Sequence, residues 1–206
     1  MTYSLNECQS AAAKAARGGG LDWGLAEDAG RAAAWLAAHG LPVLFSAALL
    51  RRGRFSAPRE KEILSGALIP EDEKMLCPFL SGAFIADNMR AAPPQWRLVR
   101  AAHPLIIAAF AGYAAAPRRA FSATWAGAEI ITDGAHVFAA ARKGLSARCA
   151  DMTISPAAMP DCPPPPAARR RIAPAEWRRL QTLAARTFMP SDPHSRAQDA
   201  GAPETD

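Results

Sequence analysis

Almost half of the hydrophobic residues in this chain are alanine, 49 of 103. Alanine is the best helix former but buries little apolar surface, whereas each fully buried Leu- or Phe-sized side chain contributes roughly 1.5–3 kcal/mol. The 54 larger hydrophobic residues must therefore supply most of a thin core, and the alanines act by letting helices come close. The 206 residues suit one domain with tails. The pattern predicts an α+β class, with N-terminal helices and a C-terminal helix packed on a small antiparallel sheet. Residues 1–188 are read as one domain: helical over 1–53, mixed and β over 54–155, a Pro-rich connector over 156–173, and a last helix over 174–188. Residues 189–206 read as a flexible tail.

The helical start is the best specified. Ser4 and Glu7 have capping-box spacing, with Tyr3 and Cys8 placed as a hydrophobic staple. The first helix should run from Leu5 to Arg17 and stop at Gly18-Gly19-Gly20. Asp22 is positioned to cap a second helix from Trp23 to His39, closed by Gly40. Its positions 26, 29, 30, 33, 34 and 37 are all Ala or Gly, a smooth stripe for close approach. Pro42 suits the first turn of a third helix, Val43 to Arg52. A short helix is read at Arg59 to Ala67.

Further on, the apolar run Pro78 to Asp87 is short and bounded by breakers, which reads as a strand or buried loop. Trp96 to Val99 opens a strand, and Leu105 to Ala116 fits either helix or strand. Phe121 to Trp125 alternates with period two. Glu129 to Thr132 and Ala135 to Ala139 flank Asp133-Gly134, a type I′ hairpin dipeptide. Ala147 to Ile154 is a fourth strand candidate. After Pro163 to Pro166, Pro174 starts a helix with Trp177, Leu180, Ala184 and Phe188 on one stripe.

Several function classes find no support. Cys8, Cys77, Cys149 and Cys162 are far apart, which fits reduced thiols of a cytoplasmic protein and neither a disulfide framework nor a zinc site. His39, His103, His136 (in a strand) and His194 lie in four separate segments, so no metal is expected. No signal-peptide pattern opens the chain, and the longest apolar run is too short to cross a bilayer. Motifs for nucleophilic, metalloprotease or nucleotide-cradle chemistry are missing, so no cofactor is expected. The net charge is +5 and 20 of the 24 basic residues are Arg. Arg recognises phosphate and carboxylate well, but an Ala- and Arg-rich composition also follows from genomic base content. Six arginines over 169–188 oppose one acid, Glu176, yet an acidic tail follows and stacking aromatics are lacking. A solvated helix face is favoured there over a nucleic-acid contact.

Two acid-centred spots remain. Asp87 follows an apolar run, which would poise its carboxylate at the end of a buried element. Trp23, Glu27 and Arg31 share a helix face at spacing four, with Glu27 and Arg31 in favourable ion-pair order. Ser4 to Glu7, Lys14 to Gly18, and Trp23 to Arg31 with Trp35-Leu36 resemble the opening of an uncharacterised bacterial family, a domain of unknown function. Gly82 to Asp87 is similar to its central motif, and Ala184 to Pro190 with Ser195-Arg196 to its C-terminal signature. The resemblance carries no activity. It implies that Arg17, Trp23, Glu27, Arg31, Asp87, Arg186, Thr187, Ser195 and Arg196 are the positions to inspect, and that the two ends of the chain meet at one site.

The leading expectation is a binding or accessory protein for a small anionic ligand or a partner enzyme, with Arg17, Arg31 and Arg186 as anion contacts and Trp23 as an apolar wall. The alternatives are a small cofactor-independent enzyme, using Asp87 or Glu27 for proton transfer on a carboxylate substrate, and a nucleic-acid binder using residues 169–186 with Arg51, Arg52 and Arg54.

Overall fold

The structure is a computed structural model and describes residues 3–59, 65–89, 95–115, 119–161 and 172–187. Helix α1 spans Leu5–Gly18 and opens on the expected capping box. The Glu7 amide donates to Ser4 Oγ at 3.2 Å, and the Ser4 amide donates to Glu7 Oε2 at 2.7 Å. Its end is a Schellman turn. Gly20 takes φ +88°, the Gly20 amide donates to the Arg17 carbonyl and the Leu21 amide to that of Ala16. Helix α2, Trp23–Ala38, ends the same way, with Gly40 at φ +64° and the Leu41 amide on the Leu36 carbonyl. Asp22 is the N-cap residue of α2, but its side chain makes no capping hydrogen bond.

The third helix is shorter than the sequence predicts. α3 covers only Phe45–Leu49, and a 3-10 turn follows at Arg52–Arg54. A five-residue helix is too short to persist on propensity. This one is tied at its start to Glu176, described below. Of the helix expected over Arg59 to Ala67, residues 60–64 lie outside the described residues, and Ala67–Leu68 is a strand.

Three two-residue strands come first, β1 (Phe55–Ser56), β2 (Ala67–Leu68) and β3 (Met75–Leu76). Next comes helix α4, Pro78–Asn88, where a strand or buried loop was expected. Topology overrides the run's ambiguous pattern. β3 pairs parallel with β4 (Trp96–Ala102), and a parallel pair needs a crossover, here supplied by α4. Asp87 thereby sits exposed in the last turn of a helix instead of at the end of a buried strand. The ambiguous run 105–116 resolves as helix α5, Pro104–Ala114, buried on every side over most of its length.

The rest is antiparallel, a meander of three strands with a fourth that returns to pair beside the first. Strands β5 (Phe121–Trp125), β6 (Ala128–Thr132), β7 (Val137–Arg142) and β8 (Cys149–Pro156) complete an eight-stranded sheet of order β1-β3-β4-β8-β5-β6-β7, with β2 also on β4. The α+β class holds, but the sheet is mixed and larger than the four or five antiparallel strands expected. The two-residue type I′ turn is not at Asp133-Gly134. It joins β5 to β6 through Ala126 and Gly127, whose φ values are +39° and +77°. Residues 133–136 instead form a wider loop, where Asp133 Oδ1 accepts from the Ala135 and His136 amides. His136 therefore lies in a turn and not in a strand. The loop docks on α2: Trp35 Nε1 donates to the Gly134 carbonyl at 2.8 Å.

Helix α6, Pro174–Ala184, is followed by a 3-10 turn at Ala185–Thr187. Helix layers stack outward from the sheet: α5 packs on β8 and α4, α2 on α5, α1 on α2, and α6 on α1. Small residues set this spacing. A Cβ added at Gly30 of α2 would sit 2.8 Å from the Gln9 carbonyl oxygen of α1, and one at Gly18 would run into the Leu183 carbonyl oxygen of α6. The C-terminal helix thus rests on α1 and α3, with the layers of α1, α2 and α5 between it and the sheet.

Candidate functional site

One cleft gathers residues from both ends of the described chain. It has a volume of about 560 Å³ and is lined by Ser10, Ala13, Lys14 and Arg17 of α1, Trp23, Ala26 and Glu27 of α2, and Arg186 and Thr187 of the turn after α6. The α1 residues recur at the three- and four-residue steps of one helix face, as do Trp23, Ala26 and Glu27 on α2. The Schellman turn at Gly20 folds α2 back on α1 so that the two faces meet. Arg17 Nη1 donates to the Leu21 carbonyl inside that turn at 2.6 Å, and its guanidinium lies 4.4 Å over the centre of the Trp23 ring.

Arg186 arrives by a longer route. Glu176, in the first turn of α6, is 5% exposed. Its Oε1 accepts from the Ser46 amide at 2.8 Å, and its Oε2 accepts from the Ser46 hydroxyl at 2.5 Å. A buried carboxylate must be met by donors, and the open first turn of α3 supplies them. Tyr3 of the N-terminal segment stacks on Trp177 at 3.7 Å between ring centres, instead of serving only as a local staple. Together with the Gly18–Leu183 approach, these contacts fix where α6 ends and Arg186 begins.

The cleft carries three cations, Lys14, Arg17 and Arg186, against one acid, Glu27. Among the described residues, no carboxylate lies within ion-pair distance of any of the three. The Thr187 hydroxyl donates to the Ala184 carbonyl at 2.7 Å, which uses its proton and leaves its oxygen able only to accept. Of the residues singled out in the sequence, Arg17, Trp23, Glu27, Arg186 and Thr187 come together here. Ser195 and Arg196 lie outside the described residues. Ser10 and Lys14 were missed as site residues, although their spacing of seven and three from Arg17 is a readable signal.

Arg31 and Asp87 do not line this cleft, which corrects the single site that included them. Each residue advances 100° around a helix, so Arg31 is turned about 80° from Trp23. Instead of the expected Glu27 partner it pairs with Asp28 at 3.2 Å. There it joins a second polar group of Asp28, Arg31, Asp87 and Tyr113. Burial, then the Asp28 charge and a hydrogen bond donated to its carboxylate, pushes the Tyr113 phenol far above its usual range; Asp87 adds to this and Arg31 opposes it.

Other reactive side chains are held quiet. Cys77 borders a smaller hollow of about 250 Å³ with Asp22, Leu25, Arg52, Phe55 and Leu80. Burial pushes its thiol up, outweighing amide hydrogen bonds from Leu80 and Phe79 and the Arg52 charge. A thiol so held is a poor nucleophile. His103 is buried at the start of α5 with φ +45°. Burial, with the charges of Arg51 and Arg148, pushes its imidazole below the usual range. Among the described residues, no group of His, Cys, Asp and Glu could hold a metal ion, and no helix is long and apolar enough to cross a membrane.

Residues 3–65 match the family model described as a protein of unknown function (DUF3726). The match covers α1 to α3 and therefore seven of the nine cleft residues, while Arg186 and Thr187 fall beyond it. No curated protein and no solved structure matches the chain.

Proposed function

We propose that this protein is a binding or accessory protein whose cleft between α1, α2 and the turn after α6 takes a small organic anion. One observation carries the reading: three cations, two from α1 and one from the turn after α6, line a single cleft and, among the described residues, have no carboxylate partner. Like charges gathered in a concave site repel one another and focus a positive potential, which an anion relieves. The volume falls within the range of about 300–1,000 Å³ usual for small-molecule sites. Arg17 is pre-set by Leu21 and Trp23, so its fork needs little reordering on binding.

The test is calorimetric titration and thermal shift with phosphate, citrate and short carboxylates, comparing the unmodified chain with Arg186→Ala and Lys14→Ala. A ligand at 100 times its Kd should add about 2.7 kcal/mol of stability by mass action. Each substitution should weaken binding roughly tenfold or more, as expected for losing a charge-assisted hydrogen bond. Equal responses from all three proteins, or none, would sink the reading.

A further inference from the structure

The cleft contains two features that a plain anion does not use. Trp23 is 70% exposed, the most open of the large hydrophobic side chains in the described residues. It is nonetheless held, because Arg17 covers part of one face and is itself pinned by Leu21. An indole fixed at a cleft wall with most of its surface in water is a ready stacking plate for a flat ring. Glu27 lies one helical turn beyond Trp23 on the same face of α2. A carboxylate among three cations repels an anionic group, and that repulsion turns to attraction only where the ligand presents an N–H donor.

We propose, building on the anion reading above, that the ligand is a flat nitrogen-bearing aromatic: a ring that stacks on Trp23, an N–H that donates to Glu27, and an anionic group held by Lys14 and Arg186. Two kinds of molecule share this chemistry, nucleoside monophosphates and amino-substituted aromatic carboxylates. The cleft selects the ring by stacking area and the ligand's orientation by charge, with Glu27 and the cations acting on opposite ends.

The experiment uses the full chain and matched pairs. Adenosine 5′-monophosphate is compared with ribose 5-phosphate, and 4-aminobenzoate with cyclohexanecarboxylate, by calorimetry and tryptophan fluorescence. The aromatic member of at least one pair should bind about tenfold tighter than its partner, in keeping with the stacking energy of a base on an aromatic side chain. Which pair shows the gain identifies the source of the ring. Trp23→Leu, at an exposed position, should abolish the aromatic advantage within the pair and the fluorescence change, whatever part of the affinity common to both members it takes away through Arg17. Glu27→Gln should reduce the preference for 4-aminobenzoate over benzoate. Equal affinities within both pairs, or an advantage that survives Trp23→Leu, would overturn the aromatic proposal while the anion reading stands. Failure of all four molecules and of the simple anions to bind would overturn both.

Discussion

Helix α2 carries a polar cluster on each of two sides, and the two clusters contrast in one respect. On one side, Trp23 and Glu27 face Lys14, Arg17 and Arg186 across a cleft. On the other, Asp28 and Arg31 meet each other, and their charges and that of Asp87 act on Tyr113. The second group has opposite charges within reach and a phenol donating to a carboxylate, so its interactions close within the protein. The cleft has three cations on two elements and one acid, with the charges left apart. A satisfied cluster joins α2 to α5; an unsatisfied one presents charge to something outside. Composition does not separate these cases, since both contain Arg and Asp or Glu. Geometry does.

The contrast breaks first where the cleft depends on packing. Glu176→Ala removes the carboxylate that meets the start of α3 and strips two hydrogen bonds from a buried position. It should cost about 2–3 kcal/mol, as for hydrogen bonds to a charged group, read as a lowered midpoint in urea unfolding. Anion binding should weaken with it, because α6 positions Arg186. An unchanged midpoint would mean that the two ends of the chain are not joined in this way.

Gly18→Ala should come next. The new Cβ would meet the Leu183 carbonyl, a backbone group that cannot swing aside, so α6 must move off α1. Overpacking of this kind costs about 1–3 kcal/mol. The expected signature is reduced stability with loss of anion binding, while the second cluster, two layers inward at α2 and α5, keeps its properties. Conformation at Gly18 is ordinary helix, so retained stability in Gly18→Ala would show that the close approach is absent.

These two positions also show how much was legible beforehand. Capping, glycine stops and the small-residue stripe specified α1 and α2 to within a residue or two, because those signals are local. Spacing along the helices placed Trp23 beside Glu27, and the resemblance pointed to Arg186. The buried role of Glu176 was not legible, since a first-turn acid looks the same whether it faces water or the start of another helix. Arg31 was misplaced by the assumption that spacing four twice over keeps one face, although two such steps turn a side chain away. The sheet was underestimated because β1, β2 and β3 are two residues long, too short for any period. α4 was misread because the βαβ crossover that demands a helix is a long-range fact.

A paired comparison sharpens the contrast between the clusters. Tyr113→Phe removes the hydrogen bond to Asp28 and should cost about 1 kcal/mol without altering anion affinity. Arg186→Ala should do the reverse, changing stability by no more than about 0.5 kcal/mol, as for exposed positions free of special contacts, while reducing affinity. Denaturant midpoints and calorimetric titration on the same two proteins give a crossed pattern if the clusters have separate roles. Parallel losses in both measurements would merge them.

The smallest effect lies in the alkaline limb of the stability profile. The Tyr113 phenol is raised in the folded state from the ordinary value of 10.0. For an acid raised on folding, the unfolded chain releases its proton first as pH rises. The stabilisation is therefore complete below about pH 10 and is lost as pH climbs from there toward the folded value. Tyr113→Phe has no proton to release and should flatten that part of the profile, whereas Arg186→Ala should leave the slope in place. Unfolding midpoints between pH 9 and 11 for the three proteins separate the outcomes. A slope that persists in Tyr113→Phe would assign the alkaline loss to another group and remove the phenol–carboxylate contact from the account of how α2 is held on α5.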